Sequence, residues 1–336
     1  VTKLADLPVP LDVAPMEAKL VEEVPREAGW RFEPKWDGFR CLAFRAGDEV
    51  ALRAKSGKPL DRFFPDVVEA LKALPVERFV LDGELTIEVD GRLSFEALQM
   101  RLHPAESRVR KLAAEQPATL TLFDCLLDGK GRSLLDAPLS TRREELEALF
   151  KRFKGAEVMG LSPYTEDRDQ ACRWLDEAGF VMDGVVAKRA DGPYAPGERA
   201  MLKIKKIRTA DCVVGGFRYQ QGTKQVGSLL LGLYGDDGKL HHVGFTSTIT
   251  NAERAELTKR LEAVRGEGFS GDAPGGPSRW STERTGEWVA LKPELVVEVR
   301  YDQVTGGRFR HGTRLVRWRP DKAPRQCTFE QIRPPA

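Results

Sequence analysis

The stretch WRFEPKWDGFRCLAFRA, residues 30–46, reads as strand, turn and strand. Apolar and aromatic residues alternate with polar ones on either side of Asp37-Gly38, a pair suited to a tight turn. Alternation along the first strand places Glu33, Lys35 and Asp37 on one face until the turn redirects the chain. A lysine so placed attacks as a nucleophile only as the free amine, and its ordinary pKa of about 10.4 opposes that. Desolvation or neighbouring cations favour the neutral form. Lys-x-Asp-Gly alone is a weak signal, because a surface turn supplies the same residues.

Outward from this stretch, FFPDVVEALKAL has the spacing of an amphipathic helix, and RFVLDGELTIE, ATLTLFDCLL, GVVAKR and AMLKIKK read as strands. Helices are expected at FEALQMRL, at TRREELEALFKRF with Thr141 as cap, and at RDQACRWLDEAGF. This is an α+β pattern of mixed antiparallel sheets and helices, and it defines a first domain over residues 1–207. From Ala210 the texture turns β-rich, with a hairpin signal at Gly235-Asp236-Asp237-Gly238, one helix (NAERAELTKRLEAVR), a Gly/Pro/Ser loop from Gly266 to Pro277 and further strands to RLVRWRP. Several strands with one interposed helix predict a small β-barrel of the oligonucleotide/oligosaccharide-binding (OB) type over 208–336. No long linker separates the two, so relative motion would need a hinge of a few residues near 206–210.

With 336 residues, 41% apolar and 31% charged, the chain suits two soluble domains. No apolar run approaches the ~20 residues of a membrane span, and the first residues lack a signal-peptide core, which predicts a cytoplasmic protein without a membrane partner. The five cysteines are scattered singly and the four histidines form no zinc or triad pattern. Chemistry therefore rests on Lys, Arg, Asp and Glu. The net charge of +2 predicts no nucleic-acid binding by itself, but residues 209–336 carry 19 Lys and Arg against 15 Asp and Glu. Between Arg300 and Arg325 eight basic residues face only Asp302 and Asp321, interleaved with Phe309, His311 and Trp318. Such a run suits either a solvated strand face or a groove that tracks phosphates.

An ordered series follows the Lys35 stretch. Asp82-Gly83-Glu84 is expected at a second strand turn, Phe123-Asp124 lies in LFDCLL, Asp183, Gly184 and Lys188 lie in MDGVVAKR, and Lys203 and Lys205 alternate onto one face of AMLKIKK. Alternating lysines in an apolar strand are costly to bury unless an anion meets them, and a triphosphate is such an anion. Carboxylates at Glu84 and Asp183 suit a ribose hydroxyl and a hard divalent cation.

From Val13 to Ile332 the sequence resembles the ATP-dependent DNA ligases of the covalent nucleotidyltransferase superfamily, especially the small stand-alone bacterial group called ligase C. KWDGFR resembles the lysine motif, which implies that Lys35 takes AMP from ATP as a phosphoramidate. Arg40 matches the motif's trailing arginine on nucleotide or nick, and Glu33 the position that helps read adenine. The resemblance makes Glu84 the ribose ligand, Phe123 the base-stacking aromatic, Lys188 the lysine that ends the fourth motif, and Asp183 an acid for Mg2+ or Mn2+ alongside Glu84. Lys203 and Lys205 match the lysines on the α-phosphate, and RWRPDK the final motif, with Arg319, Asp321 and Lys322 orienting pyrophosphate. Two positions depart from the pattern. Asp183 stands where many members have Glu, and Lys55 where they have Arg, a point charge replacing a bidentate fork.

The resemblance implies three substitutions at phosphorus: Lys35 takes AMP, AMP passes to the 5′-phosphate of a nick in duplex DNA, and the 3′-hydroxyl displaces it. Lys203, Lys205, Arg40 and magnesium would neutralise charge, and adjacent cations would favour the free amine of Lys35. It also implies a barrel domain that swings between two poses. The expected protein is a monomer that encircles DNA poorly alone and works in repair with helpers such as a polymerase, a primase or an end-binding protein. An RNA ligase, a GTP-using RNA-capping nucleotidyltransferase and a catalytically silent DNA-binding module remain as alternatives.

Overall fold

The computed structural model describes residues 3–153, 157–178, 182–275 and 287–333. They form two compact units, Val1–Lys206 and Ile207–Ala336. The first contains β1 (Ala18–Val21), β2 (Trp30–Pro34), β3 (Phe39–Ala46), β4 (Glu49–Ala54), α1 (Pro65–Ala73), β5 (Arg78–Thr86), β6 (Glu88–Val89), β7 (Arg92–Leu93), α2 (Phe95–Arg101) and α3 (Glu106–Glu115). Then follow β8 (Thr119–Leu127), α4 (Leu139–Phe150), β9 (Met159–Leu161), α5 (Arg168–Glu177), β10 (Val185–Arg189) and β11 (Met201–Ile204). One sheet has the order β4-β3-β5-β8-β9, the other β1-β11-β10-β2.

Burial explains the layering. β3 is buried from Cys41 to Ala46 on both faces, so each face needs a cover. On one side α1, α2 and α4 supply it, packing Val67, Leu71, Leu98 and Leu146 against Leu52, Phe79 and Leu120. On the other, Phe44, Val80 and Leu126 meet Met16, Tyr194 and Met201, which joins the two sheets face to face. α5 closes the far side with Ala171 against Phe32, Val185 and Ile204. Each large apolar side chain so buried contributes about 1.5–3 kcal/mol.

Several local expectations are corrected. Asp82-Gly83-Glu84 lies inside β5, not at a turn, with Glu84 opposite Arg40 on β3 and Thr121 on β8. Gly83 serves close strand approach: a Cβ there would stand 2.7 Å from the Thr121 carbonyl, where the ladder also slips by a residue. β2 ends at Pro34 and β11 at Ile204, so Lys35 and Lys205 stand just beyond the strands read to carry them. α4 begins at Leu139 behind Pro138, which leaves Thr141 inside the first turn rather than at the cap. Helix α3 and strand β1, parallel to β11, are additions. The last two residues read into α5, Gly179 and Phe180, lie outside the described residues.

The second unit contains β12 (Arg208–Tyr219), β13 (Val226–Tyr234), β14 (Leu240–Thr246), α6 (Asn251–Glu262), β15 (Val289–Ala290), β16 (Val296–Tyr301), β17 (Val304–Thr305), β18 (Arg308–Phe309) and β19 (Arg314–Trp318). Its main sheet runs β14-β13-β12-β16-β19, with β15 on β12. The 235–238 turn forms as read, with Gly238 at φ +70°. Val213, Phe217, Leu229, Leu231 and Val297 make the core, which α6 covers with Leu261. The outer strands meet in one isolated bridge, Thr246 with Thr313, so among the described residues the sheet is an open path and not a closed barrel. The loop read as ending at Pro277 is described only to Gly275. Cys41, Cys125, Cys212 and Cys327 are buried and unbridged, and Cys172 is half-buried. Among the described residues no helix is long and apolar enough to cross a membrane.

Candidate active site

Lys35 owes its place to backbone clamping just beyond β2. Its N–H donates to the Gly184 carbonyl at 2.9 Å and its carbonyl accepts from the Asp183 N–H at 2.6 Å, extending the β2–β10 ladder past Pro34. Gly184 is obligatory there, with φ +141° and space that would put a Cβ 2.1 Å from the Ile204 carbonyl. Gly38 is equally constrained, since a Cβ would lie 2.0 Å from the Leu85 carbonyl. Trp36 pins the loop between them by donating Nε1–H to Ser162 Oγ at 3.0 Å. The Lys35 ammonium then meets Asp183 Oδ2 at 2.5 Å, and Lys205 Nζ meets the same oxygen at 3.1 Å.

Lys35 opens onto a cleft with a volume of about 220 Å³. Glu33, Arg40, Lys55, Glu84, Phe123, Lys188 and Lys203 line it together with Lys35. Six strands and two loops thus deliver the residues singled out in the sequence to one place. Val186, Met16 and Glu17 also line it, and sequence reasoning assigned none of them. A wider, more apolar groove adjoins the cleft, sharing Arg40, Lys55 and Glu84 and adding Phe39, Leu60, Phe63, Leu102, Lys58 and Arg62.

Most charges in the cleft are already partnered. Glu33 is not an exposed strand residue: its carboxylate and Lys188 Nζ form a buried pair at 2.8 Å. Lys188 Nζ also lies 4.5 Å from the centre of the Phe123 ring, and the Arg40 guanidinium 4.7 Å from it, so two cations brace the one aromatic. Arg40 is less available than expected. Its fork grips the fully buried Asp82 through Nε and Nη2, both at 2.6 Å. Tyr194 donates its hydroxyl to Asp82 Oδ2 at 2.6 Å and accepts the Met16 N–H at 3.0 Å, which ties the segment before β1 to the cleft floor. Asp124 belongs to the same frame, holding Arg142 through 2.7 and 3.1 Å bonds with both side chains 1% exposed. Asp82, Tyr194 and Arg142 are positioning residues that the sequence alone did not assign, although Asp82 stands in the DGE triplet itself.

The electrostatics sharpen three roles. Burial raises the Glu84 carboxyl to about 7, against the opposing pull of Arg40 and Lys35, so it sits near the midpoint of its titration at neutral pH. Desolvation first, then Lys35, Lys205 and Lys55, lower the pKa of Lys203. Lys35 itself contacts an opposite charge, the Asp183 carboxylate, beside the cations expected around it. Lys55 pairs at 3.1 Å with Glu17, whose pKa that pairing lowers.

No group of three or more His, Cys, Asp or Glu side chains is arranged to hold a metal ion among the described residues. Asp183 is a single buried carboxylate already engaged by two ammonium groups. That donor set fits a hydrated magnesium ion brought in on phosphate oxygens, and does not fit a cage made by protein alone. In the second unit, Arg319 and Lys322 converge on Asp211 of β12, at 2.8 and 3.5 Å, as a cluster of their own.

The cleft sets a lysine between an aromatic, an acid and further lysines, and the comparisons with known proteins make the class of the protein definite. The model of the ATP dependent DNA ligase domain matches residues 15–205, and that of the ATP dependent DNA ligase C terminal region matches 222–322. The chain belongs to the ATP-dependent DNA ligase family. It is 45% identical to DNA ligase C1 of Mycolicibacterium smegmatis and 43% identical to DNA ligase C of Mycobacterium tuberculosis, in each case over 98% of this chain and 96% of the relative. Among solved structures, mycobacterial DNA ligase D complexed with ATP and MES is similar at 30% identity, with a TM-score of 0.51 over 95% of this chain and 98% of that one.

Proposed function

We propose that this ATP-dependent DNA ligase seals 3′-hydroxyl/5′-phosphate nicks in duplex DNA through AMP carried on Lys35. The observation that carries the reading is the shared cleft, in which Phe123, Glu84 and Lys203 from three separate strands meet Lys35 from the loop after β2. Phe123 and Val186 would take the two faces of adenine, the Glu33–Lys188 pair its polar edge, and Glu84 the ribose hydroxyls. Lys203, Lys205 and Lys55 would neutralise the phosphates. Asp183 would hold magnesium, with Glu84 nearby, and the ion would supply charge neutralisation on the phosphate oxygens.

Lys35 must lose a proton before its amine lone pair forms the N–P bond and pyrophosphate leaves. The anionic 5′-phosphate of the nick then attacks the α-phosphorus and returns Lys35 as the leaving amine. The 3′-hydroxyl finally forms the phosphodiester as AMP departs with the P–O electron pair. Since each step is a substitution at phosphorus, rate comes from positioning and preorganised cations. The apolar groove beside the cleft, edged by Lys58 and Arg62, suits the sugar faces and phosphates of the nicked strands.

The second unit, with its five-strand path and the Thr246–Thr313 bridge, supports an OB-type barrel whose RWRPDK segment serves the first step. Monomeric action, a role in repair beside polymerase, primase or end-binding helpers, and a cytoplasmic, nucleoid-associated setting complete the reading. An RNA ligase or capping enzyme has less support, given relatives named as DNA ligases. Incubation with magnesium and α-labelled ATP or GTP, then a denaturing gel, tests it. Label from ATP alone, lost in Lys35→Ala and passed to nicked DNA, is expected. Label retained by Lys35→Ala, or taken from GTP alone, contradicts it.

A further inference from the structure

Each of the three guanidinium nitrogens of Arg319 bonds to a carboxylate. Its Nε and Nη2 grip Asp321 at 3.0 and 2.9 Å, and its Nη1 donates to Asp211 Oδ1 at 2.8 Å. Lys322 Nζ reaches the other oxygen of Asp211 at 3.5 Å. The two acids differ in kind. Asp321 lies two residues from Arg319 and travels with it, whereas Asp211 is on β12, a core strand of the unit. Asp211 is itself fixed: its N–H donates to Gln331 Oε1 at 2.9 Å, and Gln331 Nε2 returns a bond to its carbonyl at 3.0 Å. Glu298, opposite Asp211 across β12 and β16, holds Arg317 at 2.6 Å and stands 4.0 Å from Arg319. One rigid carboxylate on a framework strand therefore holds two of the three basic residues of RWRPDK, Arg319 and Lys322.

We propose that Asp211 is a positioning residue that parks Arg319 and Lys322 on their own unit, so that engaging the triphosphate requires exchanging the Asp211 carboxylate for phosphate oxygens. This rests on the assignment of RWRPDK to the first step. Asp211 then opposes enzyme adenylylation and has no such effect on sealing, where the two cations are not called upon. A carboxylate and a phosphate compete for the same donors, charge for charge, so removing the carboxylate favours the nucleotide.

The test uses the full chain, freed of AMP by pyrophosphate, with two readouts: adenylylation rate against ATP concentration, and sealing of a nick whose 5′ end already carries AMP. Asp211→Asn is expected to lower the ATP concentration for half-maximal adenylylation by roughly three- to tenfold, while sealing of the pre-adenylylated nick stays within about twofold. Asp211→Glu, which keeps the charge, is expected to behave like the unaltered protein, and the gain is expected to vanish in an Arg319→Ala background. Adenylylation unchanged or weakened in folded Asp211→Asn overturns the proposal. Should that variant fail to fold, Glu298→Gln decides: a smaller gain in the same direction supports it, and none overturns it. Arg319→Ala alone with undiminished adenylylation instead refutes the assignment of RWRPDK, whatever Asp211→Asn does.

Discussion

The two units handle charge in opposite ways. In the cleft of the first, acids and bases are buried in matched pairs: Arg142 with Asp124, Arg40 with Asp82, Lys188 with Glu33. Along the basic strand of the second and just past it, Arg317 is 61% exposed on its side chain and Asp321 64%, whereas the Arg319–Asp211 pair, at 17% and 12%, is closer to the first kind. Buried pairs are fixed because separating them strands a charge in a poor solvent, whereas exposed pairs exchange partners at little cost because water replaces whichever partner leaves. The first arrangement suits a site that must hold a nucleotide in one pose. The second suits residues that serve different partners in turn.

The sharpest way to break this comparison is to remove one buried partner. Asp124→Ala leaves the Arg142 guanidinium unpaired at 1% exposure and is expected to cost about 3–5 kcal/mol of stability, read from urea unfolding. A loss near that of a surface substitution would show that the cleft frame is not rigid.

Next in size is a pH effect. The folded protein holds the Glu84 proton more tightly than the unfolded chain, since its value rises from 4.5 to about 7. The stability associated with Glu84 is therefore greatest below pH 4.5 and falls as pH rises through 7. Glu84→Gln removes that slope. Relative to its value at low pH, the variant's stability is expected to gain on the unaltered protein by up to about 3 kcal/mol near pH 8. Parallel pH–stability curves for the two proteins would contradict the burial of this carboxyl.

The smallest effect belongs to the second unit. Arg317→Ala, which breaks its exposed pair with Glu298, is expected to change unfolding free energy by less than about 1 kcal/mol while weakening nicked-DNA binding in a salt-dependent way, measured by fluorescence anisotropy. A destabilisation as large as that of Asp124→Ala would erase the contrast between the units.

The sequence made legible what depends on local pattern. The strands on either side of Asp37-Gly38, the helix on Val67 and Leu71 and the 235–238 hairpin follow from alternation, spacing and turn chemistry, but β2 and β3 lie in different sheets, so the segment between them is a crossover and not a turn between paired strands. Asp82-Gly83-Glu84 was misread because glycine beside acidic residues signals a turn, whereas here it admits a neighbouring strand, a long-range fact. The opposing charge on Lys35 was hidden for a similar reason, since Asp183 stands 148 positions away. Partners such as Tyr194 for Asp82 and Arg142 for Asp124 leave no local trace, because tertiary packing alone brings them together.

The central claim is the bond at Lys35. Tandem mass spectrometry of the protein after incubation with ATP and magnesium would locate the adduct on the peptide that carries KWDGFR. AMP on Lys35, removed by pyrophosphate, is the expected result. AMP on Lys203 or Lys205 with Lys35 unmodified, or no covalent AMP in a preparation that seals nicks, would contradict it.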